Sequence, residues 1–215
     1  MIIQTSRRSS PPTDRDLDRR GLLRAALGLG ALAALGLAGC RTPAPRAGVP
    51  DLTFVHLTPI PLQVARREVE SRYVPPANMP TINATAPISP VEAVRRWAEQ
   101  RIQPVGANGR ALVIIHDALL AQIPLARTPG LTGMITTDQS DEYRVRIDVE
   151  VTADGLPYTT PVTARAFAER ARTVREDVTL QQRDEVVYRL VEEAMIAINA
   201  EMERQIRSGF GPYLA

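Results

Sequence analysis

Two imidazoles and one thiol, His56, His116 and Cys40, make up the whole histidine and cysteine content of this 215-residue sequence. Any histidine-based hydrolase would have to work through one of those two rings. His116 is followed by Asp117, and a histidine beside a carboxylate can serve as a general base, so a hydrolase built on His116 is one reading. The pair sits in the most apolar stretch of the chain, where a satisfied core histidine is the simpler one. Asp138, Asp141 and Glu142 could attract a cation, but they lack the alternating spacing and central glycine of a calcium loop and read as a solvated strand entrance. Gly130 and Gly133 neither follow a strand nor open a helix, so they do not form a phosphate cradle. All 26 basic residues are arginine, which removes the phosphate-loop lysine, Schiff bases and Ser–Lys dyads. The expectation is a chain with no catalytic residue, no metal and no cofactor.

Cys40 stands in a different setting. Upstream lie Arg7, Arg8, Arg15, Arg19, Arg20 and Arg24, followed by about 13 uncharged residues as far as Leu37, mostly Leu, Ala and Gly. A spanning helix needs roughly 20 apolar residues, a signal core only about 7–15. The run therefore reads as a removable segment, softened by Gly28, Gly30 and Gly36. Asp18-Arg19-Arg20-Gly21-Leu22-Leu23-Arg24 resembles a twin-arginine export signal, with general secretion as the other route. Leu37-Ala38-Gly39-Cys40 matches the bacterial lipobox at all four positions. That resemblance implies a thioether lipid on the Cys40 sulfur, cleavage before the residue and acylation of its new amino group. The expected location is the periplasmic side of the cell envelope. Arg41 follows the cysteine, and similarity to enterobacterial sorting favours the outer membrane over the inner one, because no Asp stands there.

Removing the leader changes the electrostatics. Residues 1–39 hold six arginines and three aspartates, leaving 20 basic and 21 acidic residues and a net charge of about −1. The sequence pI of about 9.0 therefore does not signal a nucleic-acid partner. With no second cysteine, an intramolecular disulfide is excluded and packing must hold the core.

The organisation expected is 1–39 as signal, 40–51 as lipidated cysteine and Pro-rich tether, and 52–215 as one α+β domain. Leu62–Tyr73 reads as a strand with a change of phase near Arg66-Arg67, which a bulge explains. Ser89-Pro90-Val91-Glu92 reads as a capping box opening a helix from Pro90 to about Gln103, with Trp97 as a core anchor. Arg110–Leu120, apolar on both faces, reads as a central strand. Glu142–Thr152 alternates cleanly and reads as a strand with one wet face. A fourth strand, about Thr159–Val174, carries Ala164, Ala166 and Ala168 on one side. Thr179 opens a long amphipathic helix, Leu180–Ser208, with Glu185–Arg189 and Glu203–Arg207 as outer pairs. The fold expected is a mixed four- to five-stranded sheet with two helices on one face, in the order β-α-β-β-β-α.

Ala121–Gln139 fits no element. A loop of that length in a small domain is usually functional, and Arg127, Leu131 and Met134 are its candidate partner contacts; an ordinary hairpin extension covering the sheet edge weighs equally. The layout over residues 52–208 resembles the accessory lipoproteins of ABC-type lipid or solvent transport systems and the amino-terminal domain of TolB. The loop Arg127–Gln139 and the ending Arg204–Leu214 also resemble an uncharacterised alphaproteobacterial lipoprotein family. These resemblances assign no activity; a lipid anchor, a tether and a domain without catalytic groups lead to the expectation of a membrane-anchored, non-enzymatic accessory or scaffold that binds an envelope protein partner. A carrier of an apolar ligand between the sheet and the C-terminal helix is the alternative.

Overall fold

The structure, a computed structural model, describes residues 49–125 and 139–215. In chain order the elements are β1 (Ile60–Leu62), β2 (Arg66–Ser71), α1 (Pro90–Arg101), β3 (Ile102–Pro104), β4 (Arg110–Pro124), β5 (Gln139–Asp154), β6 (Val162–Arg175) and α2 (Leu180–Gly209), closed by a 3-10 turn at Gly211–Tyr213. Four strands form a mixed sheet in the order β2-β4-β5-β6, and β1 and β3 make a separate parallel pair. The fold is α+β, as the residue pattern predicts.

β5 shows why. Tyr143, Val145, Ile147, Val149, Val151 and Ala153 are buried, while Arg144, Arg146, Asp148, Glu150 and Thr152 between them stay partly open to water. A strict period of two gives the sheet one dry and one wet face. β5 runs antiparallel to β4 and β6, and β2 joins β4 in parallel across the α1 crossover. Both helices cover the dry face: Ala93, Val94, Trp97 and Ala98 of α1 share a single core with Val191, Ile198 and Met202 of α2. Ala164, Ala166 and Ala168 lie buried on β6, and their small side chains let α2 approach closely.

β4 changes phase in the middle. Ala111, Val113 and Ile115 face the core, and so do Ala118 and Leu120. The shift is a bulge between Ile115 and Asp117, which leaves His116 as the extra residue. The slip at Arg66-Arg67 has a different origin from the bulge expected there. The chain leaves the β1–β3 pair at Leu62 and joins β4 at Arg66, so two sheets, not one bulged strand, account for the two phases.

The helix starts differ too. Ser89 occupies the cap position of α1 with no side-chain cap bond, and Glu92 turns to Arg95 at 3.8 Å, so the expected capping box is absent. α1 stops at Arg101, short of Gln103, because Ile102–Pro104 are taken up by the parallel pair with β1. Thr179 does form its box. Its backbone N–H donates to Gln182 Oε1 at 2.8 Å, and the Gln182 N–H donates to Thr179 Oγ1 at 3.3 Å. On the outer face Arg207 pairs with Glu203 at 2.8 Å, whereas Arg189 turns to Glu192 at 3.0 Å and not to Glu185. The 30-residue α2 spans about 45 Å, which matches the roughly 46 Å of the 14-residue β6. The chain then folds back, with Phe210 and Tyr213 buried and Leu214 bridged to Leu62.

Candidate interaction surfaces

Of the residues singled out for chemistry, His116, Asp117, Asp141 and Glu142 are held by structural partners. His116 lies on the wet face at the β4 bulge, not in the core, and its Nε2 sits 3.1 Å from Glu150 Oε2 on β5. Among the described residues Glu150 is its one hydrogen-bond partner, so no hydroxyl nucleophile is in reach of the ring. Asp117 accepts from Arg146 Nε at 2.6 Å and from the Leu119 N–H at 3.2 Å. Tyr73, whose buried hydroxyl finds no partner, has its pKa raised by burial first and by the charge of Asp117 second. His56 is exposed. Of the carboxylate cluster, Asp141 accepts from Ser140 Oγ at 2.9 Å and Glu142 pairs with Arg144 at 2.6 Å; Asp138 lies outside the described residues. Among the described residues no group of three or more His, Cys, Asp or Glu is arranged to hold a metal ion. Among them, too, no helix is long and apolar enough to cross a membrane.

The seam between the helices holds a charge that the sequence did not reveal. Arg101, in the last turn of α1, is 1% exposed. Its Nε donates to Asn199 Oδ1 at 2.9 Å and its Nη2 donates to Glu203 Oε2 at 2.5 Å, both on α2. Asn199 Oδ1 also accepts from Trp97 Nε1 at 3.0 Å, so one amide ties the only tryptophan and the buried guanidinium to the long helix. Nη1 of Arg101 is buried without a partner. Burial, the largest influence, lowers the Arg101 pKa, and Glu203 opposes that shift. A basic residue at a helix C-terminus reads as a solvated complement to the helix dipole, so its burial leaves no mark in the sequence.

The apolar-ligand reading needs space, and the space lies beside α2. Between sheet and helix, Ala166, Val149, Ile198 and Met202 are buried. A cavity of about 300 Å³ opens on another side of the helix, lined by Leu52, Phe54, Leu57, Glu192, Ile196 and Asn199 among others. Its wall is the segment after Val49, pinned to α1 where the Arg96 guanidinium donates to the Leu52 carbonyl at 2.8 Å. Ile196 is 61% exposed at the rim.

The stem that carries the predicted contact loop is regular to its end. β4 and β5 stay paired out to Pro124 and Asp141, and the Leu125 N–H donates to the Ser140 carbonyl at 2.9 Å. Arg127, Leu131 and Met134 lie outside the described residues, as do Arg19, Arg20, Leu37, Ala38, Gly39 and Cys40.

No protein-family model matches this sequence, and none of the curated proteins does. Among solved structures the chain is similar to the rare lipoprotein B from Shewanella oneidensis. The two share 17% identity at a TM-score of 0.37, over 66% of this chain and 94% of that one. A likeness at that level transfers no role to any residue.

Proposed function

We propose that the chain is a lipoprotein of the cell envelope, anchored through Cys40 on the periplasmic side, whose α+β body binds a protein partner without catalysing a reaction. One observation carries this reading: Leu37-Ala38-Gly39-Cys40 closes an arginine-led apolar segment of signal length and holds the only cysteine of the chain. The Pro-rich stretch up to Asp51 is the tether. The pairing of His116 with Glu150 and of Asp117 with Arg146 supports a body built to pack and present surfaces. Arg127, Leu131 and Met134, carried on the β4–β5 stem, are the proposed contacts, and the outer membrane is the proposed destination. Mass spectrometry of the mature amino terminus, with membrane fractionation of wild type and Cys40→Ser, tests the anchor. A lipid-modified Cys40 in the membrane fraction, and a soluble Cys40→Ser protein, are expected; unmodified soluble protein in both sinks the reading.

The cavity of about 300 Å³ beside α2 favours a second reading, a carrier of an apolar ligand, since Leu52, Phe54, Leu57 and Ile196 offer a concave apolar wall. Ile196→Trp would fill its mouth. Binding of a fluorescent fatty-acid probe by the wild-type chain and its loss in that variant, with unchanged helical circular dichroism, is the expected result; no binding by the wild-type chain ends the idea.

A further inference from the structure

β6 forms one edge of the four-stranded sheet, with β5 its only strand neighbour among the described residues. A single side chain stands in for a missing strand there. Gln205 of α2 donates from Nε2 to the Arg165 carbonyl at 2.8 Å and accepts the Arg165 N–H on Oε1 at 3.0 Å. Those two bonds show that Arg165 turns its backbone groups outward. By the alternation of an antiparallel ladder, Thr163, Phe167, Glu169 and Ala171 do the same. The side chains of Arg165, Phe167 and Glu169 lie on the wet face, opposite the buried Ala164, Ala166 and Ala168. Phe167 is 58% exposed, a large apolar ring in a row of charges.

Charge on an edge strand usually keeps other strands away. On β6 Arg165 already holds Asp148 of β5 at 2.7 Å and Glu169 faces Arg144 at 3.7 Å, and the order of the charges lets a second copy of the same strand add an opposed charge to each. If two β6 strands run antiparallel about a twofold at Phe167, Arg165 of each copy faces Glu169 of the other, and the two Phe167 rings meet. Opposed charges and aromatic pairs are the contacts that stabilise neighbouring strands. The complementarity continues inward, because Glu150 stands opposite Arg165, and Arg146 opposite Glu169, on β5. Read across the junction, the row runs Glu150, Arg165, then Glu169 and Arg146 of the second copy: acid, base, acid, base. Moving the register one step sets Phe167 against Glu169 and Arg165 against Ala171, and this pattern is lost.

We propose that two copies of this chain associate through β6, antiparallel and centred on Phe167, so that their sheets become continuous. Gln205 holds the place taken by the backbone of Glu169 from the second copy. The Glu169 carbonyl is held in turn by the Arg170 guanidinium at 2.8 Å. Both side chains swing out as the strands zip together, so Gln205 sets the strength of the contact. The inference does not depend on the lipid anchor.

Disulfide trapping in the full chain tests it. Hydrogen-bonded residues directly opposite each other in an antiparallel pair have Cα atoms about 5.5 Å apart, within reach of a disulfide. Phe167→Cys, oxidised in cell extracts, should give a covalent dimer. Thr173→Cys, which meets no copy of itself in this register, should not, and the chain without either change sets the background. Adding Arg165→Glu to Phe167→Cys should lower the trapped fraction roughly tenfold as two attractive pairs become repulsive. Adding Glu169→Arg as well should restore it, and Gln205→Ala should raise it. Trapping at Phe167→Cys no greater than at Thr173→Cys overturns the proposal, and so does a charge-exchanged double variant that stays as low as Arg165→Glu. Helical circular dichroism on each variant separates lost pairing from lost folding, and the Gln205→Ala arm needs no change on β6 beyond the reporter.

Discussion

Arg101 concentrates more electrostatic cost than any other side chain described, because it gives up nearly all its water for Asn199 and Glu203 and still leaves Nη1 unpaired. Removing the guanidinium leaves a cavity and takes a donor from Asn199, while Glu203, 31% exposed, keeps Arg207 at 2.8 Å; a large-to-small change at a buried site costs roughly 2–5 kcal/mol, whereas an apolar residue of similar volume is often tolerated. Arg101→Ala should therefore lower the denaturant-derived stability by about 3 kcal/mol or more, and Arg101→Met by clearly less; equal losses would mean the seam is held by the polar contacts of the guanidinium and not by its volume. Glu203 adds a pH signature. Its pKa is held below the usual 4.5, first by the hydrogen bond from Arg207 and then, against the opposing cost of burial, by the charge of Arg101. A carboxylate lowered in the folded state contributes stability that is present above the unfolded value and lost as pH falls through the folded one. Acid unfolding should thus steepen below about pH 4.5, and Glu203→Gln should flatten that limb. Parallel acid curves for the two proteins would refute the assignment. The composition contained Arg101 but not its burial, since nothing in a terminal helix turn distinguishes a guanidinium facing water from one facing another helix.

At the scale of elements, legibility followed periodicity. β5 was readable because it keeps one alternation from Tyr143 to Ala153, and β4 because Leu112 to Ile115 are apolar on both faces. The stretch from Leu62 to Tyr73 was not, because a change of phase is produced equally well by a bulge or by a change of sheet partner, and only the tertiary pairing of Ile60 with Ile102 decides between them. His116 reversed that case: the bulge is real, but a run apolar on both faces hides the slip. Caps were half legible, since Ser89 and Thr179 offer the same chemistry and only Thr179 uses it. Thr179→Ala should cost about 1 kcal/mol, while Ser89→Ala should change stability by no more than a few tenths; urea midpoints measured side by side decide whether the two caps differ. The turns leave another mark. Gly109 and Gly155 have φ of 75° and 84°, and a Cβ on Gly155 would stand 2.9 Å from the Gly109 Cα. Gly109→Ala meets both the left-handed backbone and the Asp154 carbonyl, so a loss of roughly 1–3 kcal/mol is expected, readable as a lower melting temperature.

For the whole molecule, the division of labour between scaffold and surface can be tested apart from the anchor. Trp97, Val149, Ile198 and Tyr213 are buried in one core cluster built from described residues, and the β4–β5 ladder is paired to Pro124 and Asp141. Replacing residues 126–138 by Asn-Gly, a pair suited to a tight hairpin turn, should therefore leave the melting temperature within a few degrees, about the effect of ~1 kcal/mol in a domain of this size. If Arg127, Leu131 and Met134 make the partner contact, the same replacement should abolish cross-links formed in intact cells by a photoreactive residue placed in that segment of the wild-type chain, while localisation through Cys40 is unchanged. A collapse of the fold would place those residues in the core. Intact folding with undiminished partner cross-links from reporters on the exposed face of β6 would move the contact surface to the sheet.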